Sequence, residues 1–217
     1  MCCPCAKVIA ENMSKLRFLG TASAVPAKGH QNTHFIVQAG HRTLLVDCVG
    51  NPVVRLGEAG IDPLSITDLI LTHFHPDHVS GVPLLLMDLW LLERKNALRV
   101  YGLHDVIDRM VKMLDLYDWQ TWQGFYPVNF IRIPSQPQTL IADEHLELGV
   151  FPVCHMIPGI GLRMILPDGS FCYSSDTGPC DQIVEMAMGL EILIHEATGE
   201  GDGHSSPEQA GKIAEKA

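Results

Sequence analysis

The sequence predicts one α/β domain, of the α+β kind, in which short strands alternate with helices and turns. With 217 residues the chain is long enough to bury one sizeable core, and nothing in it requires a second domain. Short apolar runs end repeatedly at turns that contain Gly or Pro, and longer apolar or amphipathic stretches lie between them. One such run, residues 69–71, leads directly into a loop rich in histidine.

The first half of the chain supplies strands before its longer helices. Alternating and β-branched residues predict strands, and Gly60 marks the end of a short helix. The predicted helix at 84–92 carries hydrophobic side chains on nearly every face, which is typical of a helix packed on several sides or at a subunit contact. The predicted elements are strands at 16–19, 34–39, 42–47 and 98–101, with helices at 52–59, 84–92 and 105–116.

The second half of the chain reads mainly as strands and ends in a helix. Ser206, followed by Pro207 and by Gln209, is a good helix start. The stretch 117–126 holds five aromatic residues, which would either stack bases or a substrate, or form a packed loop or dimer contact. The predicted strands are 139–141, 144–153, 161–166, 171–174 and 191–194.

Charge, hydrophobicity and cysteine content argue against a nucleic-acid-coating protein, a membrane protein and a disulfide scaffold. The formal net charge of -10 argues against broad attraction to nucleic acid. No apolar run reaches the 18 or so residues of a membrane span, so we expect a soluble protein without a membrane partner. Seven cysteines without scaffold spacing and no visible signal peptide predict reduced thiols and a cytoplasmic location. Residues 1–12, with Cys2, Cys3 and Cys5, are expected to be an extension of uncertain status that precedes a single domain over 13–217.

The loop from Thr72 to His78 carries the strongest chemical signal. It offers three imidazoles and a carboxylate, His73, His75, Asp77 and His78, and these groups suit zinc and similar divalent ions. The spacing divides into two pairs, with His73 and His75 facing one ion and Asp77 and His78 facing a second. Two ions about 3.5 to 4 Å apart could hold a bridging hydroxide for attack on phosphorus or carbonyl.

This loop and its surroundings resemble the metallo-β-lactamase superfamily. Within it, the opening 18–26, the segment His195-Glu196-Ala197-Thr198 and the later Gly203-His204-Ser205 are similar to the ribonuclease Z branch. The resemblance runs from about Leu16 to the end of the chain. It implies a four-layer αββα sandwich, two β-sheets packed face to face with helices outside, and a metal site at one sheet edge. It also implies a homodimer.

The resemblance also implies roles for residues outside the loop. His155, after a strand, matches the third ligand of the first ion, and Asp176 matches the carboxylate that bridges both ions. His204 matches a general acid for the leaving group, and Glu196 matches the residue that orients it; His204 would otherwise be a helix-entry residue. Asp47, at a strand end, would either orient a ligand imidazole or cap the following turn.

The function expected from these residues is metal-dependent hydrolysis by a hydroxide held between two divalent ions, zinc above all, with manganese or iron as other possibilities. Asp77 would both bind metal and orient the nucleophile. The expected substrate is a phosphodiester, either a small molecule or an RNA 3′ end. Three alternatives stay open: a transfer RNA 3′-processing endonuclease proper, an ester or thioester hydrolase of the same superfamily, and a metal-binding protein without turnover.

Two departures from the family pattern bear on the substrate and on the second ion. Ribonuclease Z inserts a long arm that holds transfer RNA between the third-ligand His and the bridging Asp, whereas 20 residues separate His155 from Asp176 here. The missing arm and the acidic charge favour a smaller phosphodiester, such as a cyclic nucleotide. The family also takes a final His ligand from a strand beyond the last helix, so we expect the domain to continue past Ala217.

Overall fold

Two β-sheets face each other across the centre of the molecule. The computed structural model describes residues 13–217, so the predicted extension 1–12 and its three cysteines lie outside the described residues. The first sheet has the order β1-β2-β3-β4-β5-β6. Its strands are β1 (Lys15–Gly20), β2 (His34–Ala39), β3 (Arg42–Val46), β4 (Asp68–Ile70), β5 (Leu98–Leu103) and β6 (Val128–Ile133). Strands β1 to β3 pair antiparallel, and β3 to β6 pair parallel.

The second sheet has the order β11-β10-β9-β8-β7. Its strands are β7 (Gln138–Ala142), β8 (Glu147–Pro152), β9 (Ile160–Leu166), β10 (Gly169–Tyr173) and β11 (Ile192–Ile194). Neighbours from β7 to β10 pair antiparallel, and β11 joins β10 in parallel. The parallel pair matters for the site, because the carboxyl ends of β10 and β11 lie at the same edge of the sheet.

Helices cover the outer faces of both sheets. They are α1 (Pro52–Glu58), α2 (Pro76–Val79), α3 (Val82–Leu91), α4 (His104–Asp115), α5 (Asp181–Ala187) and α6 (Pro207–Lys216). Helix α4 packs on β5 and β6, whereas α5 packs on β8, β9 and β10 and in turn contacts α6. The layers therefore run helix, sheet, sheet, helix, which confirms the expected αββα sandwich. None of the helices within 13–217 has the length and apolar character needed to cross a membrane.

Apolar side chains from the inner faces of both sheets form the main core. Phe35 on β2 is fully buried, and its ring meets Tyr173 edge-on at 4.9 Å and Phe171 at 6.4 Å, both on β10. Leu148 and Leu162 of the second sheet belong to the same buried cluster as the residues of β3 and β4. Because each inner face buries its side chains against the other, neither sheet has a complete core alone.

The predicted elements are found, and the structure adds three that were not predicted. The strands and helices named from the sequence are present within a few residues of their expected bounds, and Ser206 caps α6 in a reciprocal capping box with Gln209. The additional elements are strand β6, helix α5 and the four-residue helix α2, which starts at Pro76 inside the expected loop. Strand β6 is an edge strand with a mixed polar and apolar pattern, and α5 has only seven residues and no side-chain cap at Cys180, so neither carries a strong local signal.

The aromatic stretch 117–126 is a packed loop. Trp122 stacks on Trp90 of α3 with ring centroids 5.3 Å apart and planes inclined by 14°. Phe125 meets Trp119 and Trp122 edge-on, and the Trp90 indole N–H donates to the carbonyl of Gln123. The packed-loop alternative is therefore the one that the structure supports, because these rings pack edge-on against one another and Trp122 stacks on Trp90.

Candidate metal centre

The histidine-rich loop lies at the carboxyl end of β4. Strand β4 stops at Ile70, the chain continues through Thr72 and His73, and Pro76 then starts the short helix α2 with His75 in an extended N-cap conformation. Proline fixes the backbone for a first helical turn, which reverses the chain and returns His78 toward His73. The two imidazole rings are 4.0 Å apart between centroids, and both are buried.

Three imidazoles meet at one point above this loop. Nε2 of His73 lies 3.0 Å from Nδ1 of His75, and Nε2 of His155 lies 3.1 Å from the same atom. These three ring nitrogens form one group of possible metal ligands. These are the three residues predicted to hold the first ion, His73 and His75 from their spacing and His155 from the family resemblance.

Hydrogen bonds on the far side of two rings fix which nitrogens carry lone pairs. Nδ1–H of His155 donates to the carbonyl of Gly203 at 2.9 Å, and Nδ1–H of His73 donates to the hydroxyl of Thr72 at 3.1 Å, because that hydroxyl gives its own proton to Asp47. In each neutral ring Nε2 is then the unprotonated nitrogen. Both Nε2 lone pairs face Nδ1 of His75, and one proton there could satisfy only one of them. A divalent cation, which accepts all three lone pairs, fits this arrangement.

Burial favours the neutral form of His73 and of His75. Burial and the neighbouring imidazoles lower the pKa of His73 to about 2. Burial and the nearby His155 also lower the pKa of His75. Because a metal ligand must be deprotonated, these shifts prepare the two rings for a cation at neutral pH.

A second group of possible ligands lies beside the first. Nε2 of His78 is 3.6 Å from a carboxylate oxygen of Asp77 and 3.5 Å from one of Asp176. The same Asp176 oxygen is 3.9 Å from Nε2 of His73, so this carboxylate lies between the two histidine groups. That position is the one expected for a bridging carboxylate. His78, unlike His73, carries charge, since Asp47 and Asp176 outweigh its burial and raise its pKa to about 10.

Asp47 connects both groups from beneath. It follows β3 in a left-handed backbone conformation with φ 57°, which is unusual for a residue with a side chain and turns its carboxylate inward. One oxygen accepts from Nδ1–H of His78 at 2.7 Å, and the carboxylate also accepts from the backbone N–H and hydroxyl of Thr72. Of the two readings left open for Asp47, the geometry favours orientation of a ligand imidazole over capping of a turn.

A close approach of two loops holds His155. The carbonyl of Gly203 accepts from its ring, and a Cβ at position 203 would lie 2.8 Å from the backbone nitrogen of Met156. Gly203 also has φ 78°. Glycine is therefore needed here on two grounds, the left-handed backbone and the lack of space.

Glu196 and His204 form a hydrogen-bonded pair next to the metal groups. Nδ1–H of His204 donates to Oε1 of Glu196 at 2.8 Å. The same carboxylate accepts from the backbone N–H groups of Thr177 and Thr198, at 2.8 and 3.0 Å. With its Nδ1–H fixed in this way, His204 has Nε2 available for proton transfer, which is the arrangement of an oriented general acid or base.

His204 also has a second possible role, which the sequence reasoning missed. Its ligand atom lies in one group with those of His155 and Asp176, all within 4.8 Å of one another. No pattern in the sequence indicates this position, because the closeness depends on the Gly203 loop packing against His155. Thr72 was missed as well, although its place directly before His73 is a local hint that its hydroxyl could reach the ring.

The centre opens into a cavity of about 900 Å³. One wall is formed by Phe18 on β1 and by Thr21, Ser23 and Val25 in the loop that follows β1, and another is the segment Ile194–Thr198. The ionisable groups that line it are carboxylates, imidazoles and the phenol of Tyr173, and none of its lining residues, all within 13–217, is Lys or Arg. The residues of the aromatic loop 117–126 are not among them. A bound anion would therefore be neutralised by cations at the histidines rather than by basic side chains.

The structure brings together every residue singled out from the sequence. His73, His75, Asp77, His78, His155, Asp176, Glu196 and His204 converge at one end of the sandwich, with Asp47 beneath them. The donor set of imidazoles and carboxylates is that of a divalent metal site. The role of each single residue stays a prediction.

Comparisons with known proteins agree with this fold. A family model described as "Anti-Pycsar protein Apyc1" matches residues 14–215. Ribonuclease Z of Methanothermobacter thermautotrophicus is 27% identical over 94% of this chain and 83% of its own length. Human tRNase Z, short form, superposes with a TM-score of 0.79 at 24% identity over 94% of this chain and 88% of that chain. The metallo-beta-lactamase fold protein YhfI from Bacillus subtilis also gives 0.79, at 21% identity over 94% and 81%.

Proposed function

Because the chain belongs to the family described as Anti-Pycsar protein Apyc1 and has the fold of metallo-β-lactamase hydrolases, we propose that it is a metal-dependent phosphodiesterase acting on a small phosphodiester. One observation carries the proposal: three imidazole lone pairs converge beside Asp77, His78 and Asp176, at the base of a cavity that also holds the His204 and Glu196 pair. The ribonuclease Z relative supports a phosphodiester as the bond that is cleaved.

The residues of the centre would have different roles in hydrolysis. His73, His75 and His155 would hold one divalent ion, Asp77 and His78 the other, and Asp176 both, with zinc favoured by the imidazole-rich set. When bound, the ions supply Lewis acidity, lower the pKa of water and neutralise the substrate's negative charge. Asp77, part of the cavity wall, would orient the attacking water. His204 would donate a proton to the leaving oxygen, held in the required tautomer by Glu196.

The cavity supports a small substrate over a long RNA. A polynucleotide carries one charge per nucleotide and is usually held by basic side chains along its path. The cavity lining has none, and the net charge of the chain is -10. A phosphodiester with a single charge and an uncharged remainder, such as a cyclic nucleotide, suits the walls made by Phe18, Val25 and the hydroxyls of Thr21 and Ser23.

The test is turnover of bis(p-nitrophenyl) phosphate by the full chain loaded with Zn²⁺ or Mn²⁺. We expect hydrolysis that disappears in His73→Ala, since that ring contributes to the first site, and persists in His41→Ala, whose histidine is exposed and outside the site. Cleavage of a thioester without cleavage of the phosphodiester would favour the ester and thioester alternative. No turnover by metal-loaded protein would favour a binding protein.

A second assay separates small substrates from transfer RNA. The protein is given a cyclic nucleotide and, separately, a precursor transfer RNA with a 3′ trailer. We expect a much larger kcat/KM for the cyclic nucleotide. Efficient cleavage of the precursor at its trailer would instead identify a 3′-processing endonuclease.

The homodimer is part of the proposal. Leu91 and Leu92, at the end of α3, are 63% and 45% exposed, and apolar surface of this kind is typical of subunit contacts. Sedimentation velocity on the protein and on Leu91→Glu tests it, because a charge in the contact should shift the distribution toward monomer. The expected cytoplasmic location stays a prediction.

A further inference from the structure

A second cavity, of about 450 Å³, lies at the end of the first sheet opposite to the metal centre. Arg42 begins β3 and Arg99 lies near the start of β5, whereas the metal-centre residues follow the carboxyl ends of the strands. Arg42 and Asp47 stand at the two ends of β3, roughly 17 Å apart along an extended strand. We call this cavity the arginine cavity, because Arg42, Arg94 and Arg99 line it.

The lining of the arginine cavity is basic, in contrast to that of the metal centre. None of its lining residues, all within 13–217, is Asp or Glu. The whole chain is acidic, with 15 Lys and Arg against 25 Asp and Glu. Three arginines around one cavity are therefore a local concentration of positive charge, which attracts an anion.

Arg94 is a buried cation without a carboxylate partner. The residue is 4% exposed, and no Asp or Glu within 13–217 forms an ion pair with it. Its N–H groups donate at 2.7 to 3.2 Å to the backbone carbonyls of Leu64, Ile66, Asn96 and Ala97. Burial lowers the pKa of Arg94. A charge taken out of water without a counter-ion is unfavourable, so an anion next to it is stabilising.

The other two arginines share two carboxylates. Arg99 donates to both oxygens of Asp68, at 2.6 and 2.9 Å. Arg42 donates through Nε to Asp143 at 2.7 Å and through Nη1 to Asp68 at 3.4 Å. Two carboxylates for three guanidinium groups leave one positive charge uncompensated. Nη2 of Arg42 also has no hydrogen-bond acceptor in the described part of the chain, so its N–H groups are available to a ligand.

We propose that the arginine cavity binds a phosphate dianion, either free phosphate or the phosphate of a phosphomonoester. Guanidinium groups match the oxygens of phosphate in charge and in hydrogen-bond geometry. The phosphate lies against Arg42 and Arg99, above the buried charge of Arg94. The side-chain amide of Asn96, which is exposed and lines the same cavity, adds N–H donors. Leu64 supplies an apolar wall for the organic part of a phosphomonoester.

This site is separate from the proposed hydrolysis. The arginine cavity and the metal-centre cavity have no lining residue in common. A ligand in the arginine cavity contacts the segments 64–67 and 96–99, which lead into β4 and β5. Because it binds the folded chain only, it also stabilises the fold.

The experiment adds inorganic phosphate to the isotopically labelled full chain, loaded with zinc, and follows the backbone amide signals by NMR. Zinc has a closed d shell, so signals close to the metal centre stay visible. We expect shifts at the amides of 64–67 and 96–99 that saturate with phosphate concentration. These shifts report the arginine cavity separately from phosphate bound at the metal centre.

Asn96→Asp is the test variant. It keeps the shape of an exposed side chain, removes an amide donor and adds a negative charge to the cavity wall, so the affinity for phosphate should fall about 10-fold or more. Gln136→Glu is the matched control, because it adds the same charge at an exposed position that lines neither cavity. It should keep the affinity. The amide spectrum of each variant shows that it is folded, whether or not the protein hydrolyses a phosphodiester.

A nucleoside monophosphate, AMP, distinguishes the two sources of the phosphate group. Tighter binding of AMP than of inorganic phosphate identifies a phosphomonoester as the ligand, whereas equal or weaker binding identifies free phosphate. Three results would overturn the proposal. These are phosphate-induced shifts at the metal-centre residues alone, shifts at 64–67 and 96–99 that do not saturate, or equal affinity of Asn96→Asp and Gln136→Glu for phosphate.

Discussion

Residues of the centre are oriented by hydrogen bonds on the side away from the metal. Thr72 and Gly203 fix the rings of His73 and His155, while Asp47 fixes His78. Ligand rings that are held in this way need little rearrangement when a cation binds. The charge state differs between the two groups, since His73 is neutral and His78 is held in its protonated form.

Metal binding at His78 should therefore release a proton. Its pKa is raised to about 10, so at pH 7 the ring is charged in the metal-free protein and must lose a proton to become a ligand. In Asp47→Asn one of the two carboxylates that hold this proton is removed and the pKa of His78 falls. We expect fewer protons to be released at pH 7 and metal affinity to fall about 10-fold to 100-fold. Calorimetric titration in buffers of different ionisation enthalpy measures both.

Asp143→Asn is the matched control for this measurement. Asp143 is exposed and pairs with Arg42, away from the site. It should leave both the affinity and the proton release unchanged. Equal proton release in the protein and in Asp47→Asn would show that Asp47 does not control the charge of His78.

His204→Ala should reduce turnover according to the leaving group. A ribose hydroxyl leaves poorly without a proton, so a cyclic nucleotide should lose about 100-fold to 10,000-fold in kcat. The p-nitrophenolate group leaves without protonation, and its release should change much less. Glu196→Gln should show the same pattern with a smaller loss. Both rates are measured on protein of known metal content.

Metal content separates the two roles that the geometry allows for His204. If His204→Ala keeps its metal content and loses turnover only for the substrate with the poor leaving group, His204 acts as the general acid. Because the ring also lies near His155 and Asp176, loss of bound metal in His204→Ala would show that it is a ligand instead. A loss of equal size for both substrates contradicts proton donation.

At the scale of elements, the residues of the site lie in the segments that follow the carboxyl ends of strands. The segments after β3, β4, β8, β10 and β11 carry Asp47, the histidine loop, His155, Asp176 and Glu196. The opposite ends of β3, β4 and β5 are joined by ion pairs instead. Asp68 on β4 is fully buried and accepts from Arg99 of β5 at 2.6 and 2.9 Å, with Arg42 of β3 at 3.4 Å.

This ion pair should make stability depend on pH in the acid range. Burial alone would raise the pKa of Asp68, but Arg99 and Thr67 outweigh it and lower the pKa below its ordinary value. Its contribution is therefore complete above the unfolded pKa of about 3.9 and is lost as pH falls toward the folded pKa. Asp68→Asn should cost about 2 to 3 kcal/mol at pH 7 and flatten the dependence below pH 4.

Urea unfolding of the metal-free protein at about pH 3 to about pH 7 measures this pH dependence of stability. Glu147→Gln serves as the control, because Glu147 is exposed and has no ion pair within 13–217. Parallel curves for the protein and Asp68→Asn would show that the pair contributes nothing to acid sensitivity.

At the scale of the whole molecule, the two sheets depend on each other. Phe35 of the first sheet is fully buried against Tyr173 and Phe171 of the second. The site depends on the same contact, since its ligands come from both sheets. A loss of sheet packing would therefore separate His73 and His75 from His155 and Asp176.

Phe35→Ala should destabilise the molecule as a unit. Removal of this ring leaves a cavity between the sheets and should cost about 3 to 5 kcal/mol. Tryptophan fluorescence and far-ultraviolet circular dichroism should still follow one common transition in urea. Leu116→Ala, at a side chain that is 84% exposed, should change stability by less than about 0.5 kcal/mol. Separate transitions for the two signals would show that the sheets unfold independently.

The sequence alone determined the elements with strong local signals and the nature of the site. The apolar run before Thr72, the close spacing of His73 to His78 and the start of α6 at Ser206 depend on neighbours along the chain, so they could be read directly. The resemblance added His155, Asp176, Glu196 and His204, and with them the αββα sandwich. Weak local signals hid β6 and α5.

Tertiary structure decided what depends on residues far apart in the chain. Three contacts depend on loops that meet only after the sheets pack. They are the hydrogen bond between His155 and Gly203, the hydrogen bond between His78 and Asp47, and the approach of His204 to the ligand groups. Such contacts leave no pattern in spacing or composition, because hydrogen-bond geometry between distant segments is set by the folded backbone and not by the order of residues.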